Sequence, residues 1–409
     1  MNPSRRALLA GVAGLTGLAG FDGMVPVPVA SAGSSRKVLR VGVVGAGILG
    51  AAIALELAER GAAVTLLDAV APAAGATRNS YAWLNACVGD ARYRDLRLAS
   101  LARWRELDAR YGLGIRWGGY LQWATDPTNT SLVDDTDRWL AGSSAPARRL
   151  RPGDLSALAP YLTPGDVAAA VLVPSDGHLD PVAVTERLVA LCRSRGVDVR
   201  YPESVRGIEF QSGRLRKVAT NRDHLRLDRL VIAAGTATPS LAEMAGARFS
   251  LQHAPGILVH TRPLPVFTRL LHEGPREASF KQFADGRIVA YDAPHPPDLP
   301  AHAGIRLAPM DFPSTGLRRQ HGLRMLSRLA RLCPRLQSAD FANLTLGFRP
   351  MPPDDRPIVG ALRDAPDVHV AVTHSGVTLA AILAQCVADE VVIGGRRPEL
   401  AAYRPERFA

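Results

Sequence analysis

Short apolar runs alternate with amphipathic stretches along this 409-residue chain, and the first complete unit occupies residues 41–68. The apolar run 41–44 predicts a strand, and the glycine-rich turn 45–50 leads into a helical pattern that continues to Arg60. Gly61 ends that helix, and a second apolar run, 64–67, predicts the strand that delivers Asp68. This order of elements predicts a βαβ unit.

The turn of this unit has the spacing of a dinucleotide-binding fingerprint. Gly45 permits a tight turn, Gly47 lets the backbone approach a pyrophosphate, and Gly50 allows close packing of helix on strand. The helix N-terminus then faces the anion with free N–H groups. Asp68, about 20 residues further on, can accept hydrogen bonds from ribose hydroxyls. We therefore predict a site for an adenine dinucleotide; the alternative is a glycine turn without a ligand.

The remaining pattern predicts two domains, one around a parallel sheet and one around an antiparallel sheet. It predicts helices over 92–111, 181–195, 317–332 and 379–393, and strands over 115–124, 197–200, 205–210, 215–218, 230–235 and 368–373. The fully apolar run 230–235 is typical of a central parallel strand. Prolines between short apolar runs from about 250 to 310 predict a separate antiparallel sheet. A strand–glycine–helix pattern near both ends indicates that the C-terminus returns to the nucleotide-binding domain.

The first 32 residues have the pattern of an export signal. Arg5-Arg6 precedes a mildly apolar stretch rich in glycine and alanine, and Ala30-Ser31-Ala32 is a small-residue cleavage site. We predict a twin-arginine signal over 1–32 and an exported protein, periplasmic or extracellular. The apolar stretch is too short for a stable membrane span, which needs about 20 apolar residues. Since this route carries folded proteins, a cofactor can be loaded before export.

Composition disfavours two other classes of function. The net charge is +11, and arginines supply nearly all of the positive charge, since the chain has only three lysines. The arginines are dispersed, without the basic block or aromatic interleaving of a nucleic-acid site. We therefore predict no nucleic-acid partner. The four cysteines form no CxxC pair and no zinc-type cluster with histidine, which predicts no metal site. Sequence leaves open whether any two of them are oxidised.

Several separated motifs together resemble the D-amino-acid oxidase superfamily, which includes glycine oxidase, sarcosine oxidase and D-amino-acid dehydrogenase. They are the turn at 45–50 with its acid, Asp-Gly-His-Leu-Asp-Pro at 176–181, the apolar run 230–235, Gly-Phe-Arg-Pro-Met-Pro-Pro-Asp at 347–354, and the turn 373–380. Their order and spacing agree over the chain that follows the signal. The resemblance implies an α/β fold with a Rossmann-like FAD-binding domain (37–95, 150–245 and 345–400). It also implies a second α+β substrate domain on a mainly antiparallel sheet (96–149 and 246–344).

The resemblance also implies which residues bind FAD. They are Gly45, Ala46, Gly47, Ile48, Leu49 and Gly50 at the pyrophosphate; Asp68 with Ala69 at the adenosine ribose; Thr77, Arg78, Asn79, Ser80, Trp83 and Leu84 from the phosphates to the flavin ring; Val205 at the adenine; Ala234 and Gly235 beside the nucleotide; and Ser375, Gly376, Val377, Thr378 and Leu379 at the flavin pyrimidine edge. Gly347 replaces the cysteine that carries covalent flavin in sarcosine oxidases, so the FAD is expected to be non-covalent.

Two residues are candidates for catalysis. The resemblance implies that Arg349 binds the substrate carboxylate, because a guanidinium fork fits a carboxylate bidentately. The alternative is a structural ion pair with Asp354 or Asp355. His374, beside the last turn, either lines the flavin or merely packs. Lys281 is expected at a solvated strand end.

The activity that the resemblance implies is oxidation of the Cα–N bond of a small carboxylate-bearing amine by hydride transfer to flavin N5. The substrate would be a D-amino acid, glycine or an N-alkyl amino acid, and the electron acceptor oxygen or a carrier. Alternatives are a 2-hydroxy-acid oxidoreductase or a tailoring oxidase of a larger secondary amine on the same fold, and a non-catalytic flavin-binding protein. Substrate identity, stereochemistry and oligomeric state stay open.

Overall fold

Apolar strands and amphipathic helices alternate in the structure as the pattern predicts. The computed structural model describes residues 38–275, 278–291, 305, 314–337 and 340–408, without the side chains of Pro152 and His253. The predicted export signal over 1–32 therefore lies outside the described residues, as does most of 292–313.

The strands are β1 (Arg40–Val44), β2 (Ala63–Leu67), β3 (Trp83–Leu84), β4 (Tyr120–Ala124), β5 (Arg148–Arg149), β6 (Ala169–Val173), β7 (Gly177–His178), β8 (Asp198–Arg200), β9 (Val205–Gln211), β10 (Arg214–Thr220), β11 (His224–Leu225), β12 (Arg229–Ile232), β13 (Gln252–Thr261), β14 (Leu271–Glu273), β15 (Ser279–Gln282), β16 (Ile288–Tyr291), β17 (Phe341–Met351), β18 (Ile358–Ala361) and β19 (Val368–Val372). The helices are α1 (Ile48–Glu59), α2 (Ala91–Tyr111), α3 (Ser131–Leu140), α4 (Pro152–Leu158), α5 (Pro181–Ser194), α6 (Thr238–Glu243), α7 (Thr315–Leu332) and α8 (Gly376–Val392). Short 3₁₀ helices span Gly235–Ala237, Pro398–Tyr403 and Pro405–Phe408.

A six-stranded sheet carries the predicted nucleotide-binding unit. Its order is β18-β19-β12-β1-β2-β8, parallel throughout except for β18 at one edge. The central strands are almost wholly apolar and buried, as expected for parallel strands covered on both faces. Helices α1, α2, α5 and α8 contribute to the main core on one face. The three-stranded sheet β11-β10-β9 belongs to the core on the other.

The second large sheet has eight strands, in the order β17-β13-β16-β15-β14-β4-β6-β5. All described pairings are antiparallel except β14 with β4. Helices α4 and α7 cover it around a separate core that includes Trp123 and Phe280. The antiparallel sheet predicted after residue 250 is therefore present in the described residues.

Sheet membership differs from the predicted domain boundaries at three places. Strand β6, predicted within the nucleotide-binding part, pairs along its length with β4. Strand β17 continues in register with β13 to Met351, past the predicted boundary at 345. Helix α2, assigned mostly to the substrate part, packs with α8 instead. In each case pairing or apolar packing decides the membership, and the motif positions could not reveal it.

Two predicted elements have different ends. The strand predicted over 115–124 begins only at Tyr120, because Gly119 takes a positive φ of 94° and a side chain at Gly118 would clash with the backbone of Arg269. Helix α8 begins at Gly376, three residues earlier than predicted. Its N-terminus therefore lies inside the turn that the sequence placed before it.

Neither a membrane-spanning helix nor a metal-type cluster of His, Cys, Asp and Glu occurs among the residues that the structure describes. The four cysteines are free thiols, and three of them are buried. No disulfide therefore contributes to the stability of this fold as described.

His272 makes the folding stability of this protein dependent on pH. It is fully buried on β14, its ring stacks on Phe280 at 4.2 Å, and Nε2 lies 2.8 Å from the Tyr161 hydroxyl. Burial lowers the pKa of His272 to about 3. An unfolded imidazole takes up a proton near pH 6.5. Above pH 6.5 the ring is neutral in both the folded and the unfolded chain. Below that pH only the unfolded chain takes up the proton, so the free energy of unfolding decreases as the pH falls towards 3.

We expect His272→Phe to lose less stability than the parent chain between pH 6.5 and 4, as measured by urea unfolding. The exposed His224 provides the control, because His224→Gln removes an imidazole that lies at the surface. Equal losses in the parent and in His272→Phe would show that this imidazole does not carry the effect.

Candidate active site

A cavity of about 880 Å³ is lined by residues from both large sheets. Its wall includes most of the site residues predicted from the sequence: Gly45, Gly47, Ile48, Leu49, Asp68, Ala69, Thr77, Asn79, Ser80, Trp83, Val205, Ala234, Gly235, Arg349, His374, Ser375, Gly376, Val377 and Thr378. The fold thus brings together segments that are more than 300 residues apart in the chain, such as those of Gly45 and Thr378.

The glycine turn has the close approaches that its spacing predicts. Gly45 has a φ of 105°, and a side chain there would clash with the backbone of Ala233. A Cβ at Gly47 would lie 3.0 Å from Thr77 Oγ1, the hydroxyl that accepts the Ile48 N–H at 3.1 Å. Only a turn without side chains leaves this part of the cavity open at the N-terminus of α1. The chemistry of this cradle fits a dinucleotide pyrophosphate.

Two acids lie together at the end of β2. Asp68 accepts backbone hydrogen bonds from Ala46, Val70 and Ala71 at 2.8–3.0 Å, which fixes its carboxylate beside the turn. Glu203 also lines the cavity, is nearly fully buried, and donates its backbone N–H to the Asp68 carbonyl at 2.7 Å. The Asp68 carboxylate can accept hydrogen bonds from ribose hydroxyls and would repel a 2′-phosphate, whereas Glu203 Oε1 accepts a hydrogen bond from the Thr220 hydroxyl at 2.6 Å.

The aromatic wall of the cavity is held by a buried acid. Trp83 Nε1 donates to Asp176 Oδ2 at 2.8 Å, and its ring lies 4.4 Å from that of Tyr120. Burial raises the pKa of Asp176 to about 8. The first Asp of the 176–181 motif therefore positions a residue of the cavity wall from behind.

The first turn of α8 opens into the cavity and is fixed by side chains of α2. Ser100 Oγ donates to the Thr378 carbonyl at 2.6 Å, and Trp104 Nε1 to the Val377 carbonyl at 3.0 Å. Thr378 Oγ1 donates to the Trp83 carbonyl at 2.8 Å. One turn before Ser100, Arg97 reaches the cavity wall beside Ser375. This end of the cavity combines a helix N-terminus with a guanidinium and suits negative charge.

Arg349 reaches the cavity from β17, in register with Ala254 of β13. Burial lowers the pKa of its guanidinium, whereas Tyr291 and Asp355 act in the opposite direction. Tyr291 and Tyr81 line the cavity as an edge-to-face pair with ring centroids 4.8 Å apart. Asp354, one of the two acids considered as an ion-pair partner, pairs instead with Arg407 at 2.8 Å. A half-buried guanidinium beside aromatic rings is a suitable receptor for a carboxylate.

His374 lines the cavity, and both of its ring nitrogens contact protein groups. Nε2 lies 3.1 Å from the Asp355 carbonyl oxygen, and Nδ1 lies 3.3 Å from Ser375 Oγ. Burial, and then the charge of Arg97, lower the pKa of His374 to about 4. The imidazole is therefore neutral at neutral pH, and a carbonyl partner fixes Nε2 as the N–H nitrogen. This arrangement favours a positioning role, and a catalytic role stays a prediction.

Five predicted cofactor residues do not line the cavity. Ala46, Gly50, Leu84 and Leu379 are buried behind its wall, and Arg78 is exposed. The first four shape the turn, β3 and α8 through packing, and the direct contact of all five with FAD stays a prediction.

The expectation for Lys281 was wrong. It is fully buried and donates to the carbonyls of Leu179 at 3.0 Å and Ala82 at 3.3 Å. Burial lowers its pKa well below the usual range. It ties the loop before Trp83 to the eight-stranded sheet.

The polar wall residues that sequence reasoning missed include Arg97, Glu203 and Tyr291. Only Arg97 leaves a signal in the sequence. It shares the buried face of α2 with Tyr93, Ser100 and Trp104, and arginine is unusual at such positions. The other two reach the cavity through loop and sheet geometry that no local pattern encodes.

Gly347 leaves no room for a flavin-bearing cysteine. A side chain there would clash with Asn79 Cβ. Acid precipitation of the purified protein is therefore expected to release the flavin into the supernatant. Yellow colour that stays in the washed pellet would contradict non-covalent binding.

Comparison with known proteins gives matches over nearly the whole chain. Residues 40–390 match the family model for FAD dependent oxidoreductases (DAO). The uncharacterized oxidoreductase YurR of Bacillus subtilis is 25% identical over 387 residues, covering 89% of this chain and 97% of that protein. Dimethylglycine dehydrogenase of Rattus norvegicus is 24% identical over 395 residues; the match covers 90% of this chain but 44% of that longer protein.

Glycine oxidase from Geobacillus kaustophilus is similar in structure, with a TM-score of 0.76 and 23% identity. The match covers 91% of this chain and 100% of that one. This similarity confirms the predicted fold class.

Proposed function

This chain belongs to the family of FAD dependent oxidoreductases (DAO), as its motifs predicted, and from that premise we propose that it oxidises the Cα–N bond of a small carboxylate-bearing amine. Its cofactor is FAD, and the glycine cradle and Asp68 fit the pyrophosphate and ribose of that group. Bound FAD supplies the two-electron acceptor for a hydride. The substrate classes are D-amino acids, glycine and N-alkyl amino acids, and the final electron acceptor is oxygen or a carrier.

The observation that carries the proposal is Arg349 beside the Tyr81–Tyr291 pair. The guanidinium binds the substrate carboxylate, and the two rings limit the space for its side chain. This fixes the Cα–H bond relative to the acceptor, and positioning of this kind supplies most of the rate enhancement. Among the wall residues around Arg349, namely His374, Tyr81 and Tyr291, none is a charged base, since His374 is neutral with both nitrogens engaged. The substrate therefore reacts as the neutral amine.

The experiment is anaerobic mixing of the holoprotein with a panel of D-, L- and N-methyl amino acids, larger secondary amines and 2-hydroxy acids. We expect a member of the amine set to bleach the visible flavin band, with release of ammonia or an amine on turnover. Bleaching by hydroxy acids alone would identify a hydroxy-acid oxidoreductase. Bleaching only by larger secondary amines would identify a tailoring oxidase. A band that no compound bleaches would contradict catalysis on amines.

A further inference from the structure

Arg97 is a buried cation whose described partners are all neutral. The residue is 5% exposed, yet it lines the cavity. Its guanidinium donates to Asn85 Oδ1 and Ser375 Oγ, both at 2.7 Å, and to the Tyr93 hydroxyl at 3.5 Å. Its Nε has no partner in the described part of the chain. A buried charge without a counter-charge is costly, so an anion that is absent from the protein itself is expected here.

None of the described hydrogen-bond partners of Arg97 is a carboxylate, and a helix N-terminus lies beside it. Ser375 precedes α8, a helix of 17 residues without an acid in its first turn. Burial also shifts three ionisable groups near Arg97 towards their neutral forms. Burial raises the pKa of Cys87 well above its usual value and that of Asp176 to about 8, and it lowers the pKa of His374 to about 4. A ligand in the cavity can therefore supply the counter-charge that the described hydrogen-bond partners of Arg97 lack.

We propose that Arg97, together with the N-terminus of α8, is the counter-charge for reduced FAD. A hydride brings two electrons and one proton to the flavin, so one net negative charge remains unless a second proton follows. A guanidinium held by Asn85 and Ser375 is already oriented towards that charge and needs no rearrangement when it forms. This role rests on FAD binding and not on the identity of the substrate. The substrate carboxylate remains assigned to Arg349.

The test measures the midpoint potential of bound FAD without substrate in the parent, Arg97→Gln and Arg97→Lys. Loss of the charge is expected to weaken the preference for reduced over oxidised FAD at least tenfold, which is about 30 mV lower for a two-electron couple. Arg97→Lys should keep most of the parent value. Arg103→Gln is the matched control on the same helix, because Arg103 already pairs with Glu56 and Glu106. It should leave the potential unchanged.

A second measurement needs no variant and covers the case in which Arg97→Gln fails to fold. The potential changes by about 30 mV per pH unit when one proton accompanies two electrons, and by about 59 mV when two do. In the parent protein the change between these slopes should occur at a lower pH than in free FAD. The same pH in both would overturn the proposal.

One further outcome would also overturn it. If Arg97→Gln leaves the potential unchanged but weakens binding of a simple carboxylate such as acetate, then Arg97 is a substrate residue. Failure of the amine panel would leave the potentials untouched, so this test and the test of the proposed function fail independently.

Discussion

Replacing Arg349 by alanine is expected to weaken binding of the carboxylate substrate by roughly 30- to 3000-fold, while bound FAD is retained. The size follows from truncating one partner of a buried charged pair, about 2–5 kcal/mol. FAD is retained because Arg349 lies on β17, away from the glycine turn and the acids at the end of β2. The measurement is the substrate dissociation constant from anaerobic titration, with the flavin-to-protein absorbance ratio as the occupancy check.

Two variants control this result. Arg349→Lys keeps the charge but loses the bidentate fork, so it should fall between the parent and the alanine variant. Arg356→Ala removes an exposed arginine from the same segment, one that pairs with Asp90, and should leave substrate binding unchanged. Unchanged substrate binding in Arg349→Ala would rule out Arg349 as the carboxylate receptor.

Gly50→Ala is expected to abolish stable FAD binding. A Cβ at Gly50 would clash with the backbone oxygen of Gly45, the residue that starts the turn. Backbone cannot rotate away as a side chain can, so α1 must move relative to β1. Overpacking of this kind costs about 1–3 kcal/mol in stability, and the displaced turn no longer matches the pyrophosphate. The measurement is the FAD content of the purified protein and the dissociation constant for added FAD.

Gly316→Ala is the matched control, because Gly316 also lies in the first turn of a helix, but a Cβ there would lie 4.0 Å from Ser314 Oγ and clash with nothing. This variant should bind FAD like the parent and be slightly more stable, by about 0.4–1 kcal/mol. Full FAD occupancy in Gly50→Ala would show that the turn tolerates displacement and that its close packing is not required.

The sequence predicted those parts of the site where backbone geometry restricts the residue type. Gly45, Gly47 and Gly50 have the conformation or the close contacts that their spacing implied. Arg349 was predicted through its motif and lies in the cavity wall, and its role as the carboxylate receptor stays a prediction. Such positions leave a local pattern because few side chains are compatible with them.

Sequence could not predict the parts of the site that depend on packing between distant elements. Arg97 looks like one of many arginines in a helix until α2 is seen to pack against α8. Lys281 looks like a surface residue until the loop carbonyls that accept its hydrogen bonds are in place. Likewise, β6 belongs to the eight-stranded sheet only because its partner β4 lies there. Each of these facts needs the tertiary structure.

The most direct test of the central claim is a crystal structure of the holoprotein with a bound carboxylate ligand. We predict the FAD pyrophosphate at the glycine turn, the flavin pyrimidine edge at Arg97 and the first turn of α8, and the carboxylate on Arg349. A carboxylate bound to Arg97, or a flavin ring that lies away from α8, would contradict this account.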